Sequence, residues 1–315
     1  MFGGVEAGGT KFVCVVGTGP DAILGTTRIE VTDPVTTLAA AVRFFRDSVD
    51  GGVSLAAIGV ASFGPIELRR GHSRYGFITN TPKPAWSRTD MIGPFTAAFG
   101  VPVGFDMDVS AAALAEGRWG STRGMGSFVY LTVGTGIGGG AVVDGRLLQG
   151  LGHPEMGHIV VPRWPGDVFP GSCPFHGDCL EGMASGPAVA ARFGRRAEEL
   201  DGTDRDVAVA LVAWYLAAGV SSLVYALAPE RVVVGGGLGL MPGLVPAIRA
   251  ALADRLDGYP GLPEHAGKDF VVPAALGGMA GPLGSLVLAE RAAAGGPASK
   301  AMVPLGPSVT RSRLR

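Results

Sequence analysis

Hydrophobic and polar positions follow two different periods along this chain, one typical of strands and one typical of helices. A change from one period to the other marks the boundary between two predicted elements. Short apolar or alternating segments bounded by glycine and proline favour strands on either side of a glycine turn in 3–17, and at 23–31, 56–62, 101–105, 128–133, 141–143, 229–239 and 270–273. Apolar residues three or four apart favour helices from Pro34 onwards, after a cap at Ser87 or Thr89, and at 109–117, 186–199, 204–227, 242–256 and 275–294. This succession of strands and helices is typical of α/β proteins.

Glycine-rich turns join predicted strands at two places. Backbone N–H groups and a hydroxyl at a hairpin tip can hold phosphate oxygens. The first turn also fits an ordinary hairpin, and it lacks the spacing of a Walker loop. The second turn lies between two strands, so it is not a Rossmann turn, which leads into a helix. Glycines inside strands lower stability, so their number here favours contact with a ligand. The phosphate contacts that we expect are Gly8, Gly9, Thr10 and Lys11 in the first turn, and Thr135, Gly136 and Gly138 in the second.

The repeated hairpin indicates an internal duplication, with two related α/β lobes that face a shared cleft. A third glycine turn, Gly235-Gly236-Gly237, follows a buried strand and precedes a helix. Bare backbone there would let a nucleotide base and ribose lie close to the chain. At 315 residues the chain is longer than one average domain, which agrees with two lobes.

The Gly/Pro-rich segment 152–186 holds four candidate zinc ligands, His158, Cys173, His176 and Cys179. Structural zinc takes four tetrahedral N or S ligands, usually close pairs with one distant partner. Scattered core cysteines and surface histidines are the alternative. Against it, two of the three cysteines and three of the five histidines lie in this segment, which has no regular period and needs something to order it.

Several polar side chains are candidates to contact a sugar and to act on it. The segment 152–186, called the metal segment below, also carries Glu155, three residues before His158, and Glu181, two residues after Cys179. Carboxylates accept hydrogen bonds from the hydroxyls of a polyol, although both could equally be charged residues of a solvated loop. Asp108 ends a strand and precedes a helix, so it can act as a general base or only as an N-cap. Asp106, at the carboxyl end of the same predicted strand, would bind or orient the sugar. Asn80 lies on a proline-stiffened loop with an aromatic residue. This loop could form one side of a sugar-binding site, or it could simply connect two elements.

Composition and charge exclude several classes of protein. The chain is 47% hydrophobic and 17% charged with a net charge of −1, so it lacks the basic face that nucleic-acid binding needs. We see no long uninterrupted apolar segment and no signal peptide, so we expect no membrane association and a cytoplasmic location. With two of three cysteines assigned to metal, no disulfide framework is expected.

Taken together, these motifs resemble the ROK sugar kinases (repressors, open reading frames, kinases) of the actin-like and hexokinase ATPase superfamily, along residues 3–294. The matching motifs are EAGGTK at 6–11, DMDVSAAALAEG at 106–117, VGTGIGGG at 133–140, EMGH at 155–158, CPFHGDCLEG at 173–182 and VVVGGGL at 232–238. The zinc spacing and the TPKPAW loop at 81–86 are similar to those of the bacterial fructokinase branch.

The resemblance implies a two-lobed actin-like ATPase fold, that is, a duplicated ribonuclease H-like α/β fold with a central cleft. We expect a small lobe at 1–116 joined by a helix at about 280–294, and a large lobe at 117–279 with the zinc-binding loop. The Gly/Pro/Ser/Arg-rich residues 295–315 have the composition of a disordered tail.

The resemblance also implies roles for single residues. Asp108 would be the base for the sugar hydroxyl. Glu155, His158 and Glu181 would bind the sugar, with His158 also among the ligands of a structural Zn²⁺. The glycine turns would hold ATP, which comes with Mg²⁺, and the family habit is a homodimer. The expected reaction is phosphorylation of fructose to fructose 6-phosphate.

The sequence departs from the family pattern at three places. Glu6 stands where aspartate is usual, Asp106-Met107-Asp108 replaces Glu-Asn-Asp, and His176 replaces a cysteine. The loss of the amide leaves a glucose, mannose or N-acetylmannosamine kinase as an alternative. A sugar-sensing regulator of the same family is a further alternative; those carry a helix-turn-helix before the first hairpin, where this sequence begins, so we expect a kinase.

Overall fold

The structure is a computed structural model that describes residues 1–295 of the chain. Apart from Gly295, the predicted disordered tail lies outside the described residues. The strands are β1 (Phe2–Ala7), β2 (Lys11–Gly17), β3 (Ile23–Glu30), β4 (Ala57–Ser62), β5 (Val103–Met107), β6 (Phe128–Val133), β7 (Ile137–Val143), β8 (Arg146–Leu147), β9 (Arg231–Gly235) and β10 (Val271–Pro273). The helices are α1 (Pro34–Asp50), α2 (Gly93–Phe99), α3 (Asp108–Trp119), α4 (Leu180–Ala184), α5 (Gly186–Phe193), α6 (Gly202–Leu227), α7 (Leu244–Leu256) and α8 (Ala280–Ala293).

The two sheets repeat one topology. The first has the order β3-β2-β1-β4-β5, and the second, read from its third hairpin strand, has the order β8-β7-β6-β9-β10. In both, an antiparallel hairpin and a third antiparallel strand are followed by two strands parallel to the first. The predicted duplication is therefore confirmed, and each glycine turn lies at the carboxyl edge of its sheet, where ligands bind in open α/β folds.

Several predicted boundaries are wrong. α2 begins at Gly93, because Asp90 Oδ1 accepts hydrogen bonds from the backbone N of Ile92 and Gly93, and neither Ser87 nor Thr89 caps it. The second glycine turn is shorter than predicted, since residues 138–140 pair with β6. The helix predicted at 186–199 ends at 193, and the short helix α4 was not predicted.

Glycines allow α8 to pack unusually close to the first sheet. A Cβ at Gly59 would lie 1.9 Å from the carbonyl oxygen of Ser285, and one at Gly104 would lie 2.3 Å from that of Leu288. Real side chains do not fit at such distances, so helix and sheet meet backbone to backbone. Hydrophobic side chains of both elements complete this core, in which Val60 and Leu288 are fully buried.

The N-terminus of α3 is enclosed by the same means from two sides. A Cβ at Gly284 in α8 would lie 2.0 Å from the carbonyl oxygen of Ala111, and one at Gly140 in β7 would lie 2.5 Å from that of Val109. Since β7 belongs to the second sheet and α8 packs on the first, α3 is held between the two sheets. Asp108 is the first residue of this helix.

A buried carboxylate ties the far end of α3 to the chain that leads into α8. Glu116 is fully buried, and its Oε2 accepts a hydrogen bond from the backbone N of Ser121 at 2.7 Å. Its Oε1 accepts one from the backbone N of Leu276 at 2.9 Å. Both segments that cross between the sheets are therefore joined at Glu116.

α6 is long and apolar enough, by length and composition, to cross a membrane. Most of it is buried inside the protein, and Tyr215 and Val212 are fully enclosed. It forms the centre of the second hydrophobic core, together with α7 and the second sheet. Its apolar composition is explained by this packing. The division into lobes at 1–116 with 280–294, and at 117–279, stays a prediction.

Replacing Gly59 with alanine tests the close packing of α8. The added methyl group would meet the backbone of Ser285, so we expect Gly59→Ala to lower the free energy of unfolding by about 2 kcal/mol or more. Chemical denaturation measures this difference. Gly278→Ala is the control, because nothing lies within 4 Å of a Cβ there. Equal stability of both variants would contradict the packing described.

Candidate active site and metal centre

Asp108 lies where the carboxyl edges of both sheets meet α3. It is half-buried, and its Oδ1 accepts a hydrogen bond from the backbone N of Val109 at 2.8 Å. Burial raises its pKa to about 6. A carboxylate with a raised pKa that is still ionised at neutral pH can take a proton from a hydroxyl group. The placement agrees with the predicted general base.

Three further carboxylates share the neighbourhood of Asp108. Burial and then the charge of Asp108 raise the pKa of Glu6 to about 7, against the opposing effect of Lys11. Burial, then Glu181 and Asp108, raise the pKa of Glu155 to about 7. Glu155 therefore lies within electrostatic reach of the predicted base, and Glu181 lies within reach of Glu155. Such clusters of perturbed acids are typical of functional sites.

Asp106 does not reach this group. It lies inside β5 and is fully buried, whereas the sequence pattern placed it past the strand with a role in binding sugar. Its Oδ1 accepts from the backbone N of Met107 at 2.8 Å, and its Oδ2 accepts from Gln149 Nε2 at 2.6 Å. Both oxygens are occupied, so the structure corrects this assignment: Asp106 fastens β5 to the segment after β8 and exposes no oxygen to a ligand.

The four predicted zinc ligands come together, with one donor atom from each within 4.8 Å of all the others. His158 Nδ1 lies 3.8 Å from Cys173 Sγ and 3.5 Å from Cys179 Sγ, and His176 Nδ1 lies 3.8 Å from Cys173 Sγ. Tetrahedral zinc with ordinary Zn–S and Zn–N bonds separates its ligands by about 3.6 Å. The donor set and its spacing therefore fit a structural zinc ion.

The backbone shapes the metal segment before any ion is considered. Cys173 pairs with Gly177 in a tight turn, and Val160 pairs with Cys179 in an isolated bridge. His158 ends a 3-10 turn, Met156–His158, that packs on β7 so closely that a Cβ at Gly157 would lie 1.8 Å from the carbonyl oxygen of Ile137. These contacts place the ligands against the second sheet.

A buried ion pair joins the middle of the metal segment, at Asp167, to helices α5 and α6. Arg192 donates to both carboxylate oxygens of Asp167 at 2.8 Å, and Tyr215 also donates to Asp167. Arg192 holds the pKa of Asp167 well below its usual range. Since removing one partner of a buried pair is costly, this contact fixes the segment on α5 and α6.

Glu181 connects the metal segment to the second glycine turn. Its Oε2 accepts a hydrogen bond from the backbone N of Ile137 at 2.9 Å, and a Cβ at Gly136 would lie 2.6 Å from the same oxygen. Thr135 is exposed at the tip of the turn, whereas Gly138 lies within β7, paired with Thr132. The carboxylate predicted to meet a sugar is therefore also a support of the phosphate turn.

The second and third glycine turns lie side by side. A Cβ at Gly134 would lie 4.0 Å from the backbone N of Gly237. The carbonyl oxygen of Gly134 accepts a hydrogen bond from Gly186 N at 2.7 Å. Gly236 has φ of 83°, a conformation that favours glycine, and a Cβ there would strike the backbone of Val133. Gly237 borders open space. The predicted phosphate and adenosine contacts are thus adjacent.

The first glycine turn closes the hairpin of β1 and β2. Gly8 N donates to the carbonyl oxygen of Lys11 at 3.0 Å, and Thr10 is exposed at the tip. The parallel strands β1, β4 and β5 end at the same edge, so this turn, the loop after β4 and Asp108 share that edge. Asn80 is exposed on the loop after β4.

The sequence interpretation gave no role to His153. Its Nε2 accepts a hydrogen bond from the backbone N of Ile66 at 3.1 Å, so the proton is on Nδ1, which lies 3.3 Å from Glu155 Oε1. The histidine is therefore bonded to the loop after β4 and approaches the acid of the metal segment, although its Nδ1 forms no hydrogen bond there. Its place two residues before Glu155 was the available signal, but its partner Ile66 is distant in sequence.

Known proteins resemble this chain over nearly its whole length. The ROK family profile matches residues 2–292. A fructokinase of Zymomonas mobilis is 42% identical over 294 residues, which cover 92% of this chain and 96% of that protein. A fructokinase of Pediococcus pentosaceus is 36% identical over 292 residues, 93% of this chain and 98% of that one. The crystal structure of a ROK hexokinase from Thermus thermophilus is 30% identical with a TM-score of 0.75, and the match covers 94% of this chain and 99% of that chain.

The raised pKa of Glu6 predicts how stability depends on pH. Its pKa rises from 4.5 to about 7, so between these values the folded protein holds a proton that the unfolded chain has lost. The free energy of unfolding should therefore fall as pH rises through this window. Glu6→Gln cannot ionise, and we expect it to exceed the wild type in stability by about 1–3 kcal/mol at about pH 8, with no such gain at about pH 4.

Chemical denaturation of the unliganded protein at both pH values tests this expectation. Glu264→Gln, on an exposed turn, is the control for the change from carboxylate to amide. A Glu6→Gln variant whose stability follows the pH curve of the wild type would show that the acids do not interact in this way.

Proposed function

The chain belongs to the ROK family, and from this premise we propose that it transfers the terminal phosphoryl group of ATP to the 6-hydroxyl of fructose. It has the two-lobed actin-like ATPase fold, and it is a phosphotransferase that acts on a sugar hydroxyl. The position of Asp108 carries the proposal: its carboxylate lies at the N-terminus of α3, between the glycine turns and the acids of the metal segment. The similarity to fructokinases over nearly the whole chain supports fructose as the acceptor.

Asp108 is the proposed general base. At neutral pH it is mostly ionised, since its pKa is about 6, and it takes the hydroxyl proton as the oxygen attacks phosphorus. Glu155 and Glu181 accept hydrogen bonds from other hydroxyls and so orient the sugar. Correct orientation of the two reactants supplies a large part of the acceleration in phosphoryl transfer.

The glycine turns hold the nucleotide. Hydrogen bonds within the two turns use the N–H groups of Gly8 and Gly134, so the proposed phosphate donors are the N–H groups and hydroxyls at the tips, in residues 9–11 and 135–136. Gly235–Gly237 faces the adenosine. Mg²⁺ bound with ATP neutralises charge on the phosphate oxygens, as in other phosphoryl transfers. The chain's own donors are already in place before transfer, so they stabilise the developing charge without rearrangement.

The proposed zinc ion is structural, held by His158, Cys173, His176 and Cys179. His158 turns Nδ1 to the sulfurs, so its Nε2 remains available to a sugar hydroxyl. All three cysteines are free thiols in the structure, which supports a reducing cytoplasm as the location. The homodimer stays a prediction.

The alternative acceptor is another hexose, because the similar Thermus thermophilus protein is a hexokinase. Release of ADP measured with fructose, glucose, mannose and N-acetylmannosamine distinguishes these sugars. We expect the highest kcat/KM with fructose. A clear preference for one of the other sugars would overturn the proposed acceptor but not the reaction, and absence of turnover with all four would overturn the kinase.

Replacing Asp108 with asparagine tests its role as a base. We expect Asp108→Asn to lower kcat about 100- to 10,000-fold while ATP binding and thermal stability remain. The wild type should lose activity as pH falls below about 6, because the base becomes protonated. Asp144→Asn, in the exposed hairpin turn after β7, is the control and should keep wild-type turnover. Near-normal turnover of Asp108→Asn would contradict the assignment.

Removal of the metal tests the structural role of zinc. A chelated sample should lose zinc, melt at a lower temperature and bind fructose more weakly, and added zinc should restore all three properties. Cys173→Ser should behave like the chelated protein, whereas Cys14→Ser, in a strand of the other sheet, should keep its zinc content. A zinc-free protein with full sugar affinity would contradict the role.

A further inference from the structure

The loop that carries Lys83 is fixed by a buried tryptophan. Trp86 is 2% exposed, and its Nε1 donates to the carbonyl oxygen of Thr32 at 3.2 Å. Its ring packs against Phe12 of β2 and Phe63 after β4, with ring centroids 5.5 and 5.7 Å apart. Trp86 N also donates to the carbonyl oxygen of Lys83 at 2.9 Å, so the position of Lys83 follows from that of the indole.

This anchoring places Lys83 directly over the first glycine turn. A Cβ at Gly9 would lie 3.3 Å from Lys83 Cε and 3.5 Å from its Nζ. The ammonium group lies 5.9 Å from the centroid of the Phe63 ring. Lys83 forms no ion pair with any residue in the described range 1–295. The loop therefore delivers a cation without an acidic partner to the turn proposed to hold phosphate.

We propose that Lys83 binds the terminal phosphate of ATP, together with Lys11 and the backbone of Gly8–Lys11; this inference rests on the proposed kinase function. An ammonium group is a compact cation on a flexible stem, so Lys83 can reach an oxygen of a phosphate that is bound at the glycine turn beneath it. Only four lysines occur in the whole chain, against 26 lysines and arginines together; of these four, Lys11 belongs to this turn and Lys83 lies over it. Gly9 leaves room for the stem, since a Cβ there would press on the end of the Lys83 side chain.

The proposed contact acts during transfer. The bond between the sugar oxygen and the terminal phosphorus forms, and the bond from that phosphorus to the bridging oxygen of ADP breaks. The electron pair leaves with ADP, and the hydroxyl proton goes to Asp108. Lys83 stays protonated and neutralises charge on the transferred group, which is where positioned cations accelerate such reactions.

Nucleotide binding to the full chain tests this role without depending on turnover. The probes are AMP and an ATP analogue with an imido link between the last two phosphorus atoms. We expect Lys83→Met to weaken binding of the analogue about 10- to 100-fold and to leave AMP binding, fructose binding and the melting temperature unchanged. Lys83→Arg should recover part of the affinity, because the charge returns without the compact geometry. Lys268→Met, on an exposed loop, is the control and should match the wild type.

Two results would overturn the proposal. One is wild-type affinity of Lys83→Met for the analogue, and the other is a loss of fructose affinity in its place, which would make the loop a sugar wall only. Failure of the kinase function is visible separately, since the wild type would then phosphorylate none of the four hexoses. A selective loss of analogue binding in Lys83→Met supports the contact whether or not the wild type phosphorylates one of these hexoses.

Discussion

The N-terminus of α3 is held between the two sheets by contacts that only glycine permits, and the arrangement of the site depends on this constraint. Gly284 from α8 and Gly140 from β7 let backbone meet backbone on opposite sides of the helix. Asp108 is therefore fixed where the carboxyl edges of both sheets converge. Because interiors are close-packed, the helix cannot shift without disturbing both cores, and the glycine turns keep their places relative to it.

Electrostatics explains why the buried carboxylates of this site are costly to the fold. Glu6, Asp108 and Glu155 all have raised pKa values, chiefly through burial, and the charge of Asp108 raises the pKa of Glu6 and of Glu155 further. The cations that the chain itself brings to this edge are few, and Lys11 is the one that lowers the pKa of Glu6. A site of this kind gives up stability for function, as is common where ionised groups must face a reactant. The metal segment adds to this by holding Glu155 and Glu181 at fixed places.

Features set by local sequence could be predicted, and features set by distant partners could not. The glycine turns and the cluster of four candidate zinc ligands follow from short patterns, since spacing alone limits what such residues can do. The role predicted for Asp106 came from its place at the end of a predicted strand, which does not reveal that Gln149 donates a hydrogen bond to its Oδ2. His153 and Lys83 were missed because Ile66 and Gly9, which define their positions, are far away in the chain. The prediction of the α2 cap failed for a local reason, because Asp90, and not Ser87 or Thr89, accepts the hydrogen bonds at the start of this helix.

The central claim is that one cleft brings the base, the acids of the metal segment and the phosphate turns to a single sugar and a single nucleotide. A crystal structure with fructose and the imido-linked ATP analogue tests it most directly. The account predicts that an oxygen of Asp108 lies within hydrogen-bond distance of the 6-hydroxyl, about 2.6–3.2 Å, with the terminal phosphate beyond it. A sugar bound away from Asp108, or a nucleotide whose phosphates avoid the turns at residues 8–11 and 134–136, would contradict it.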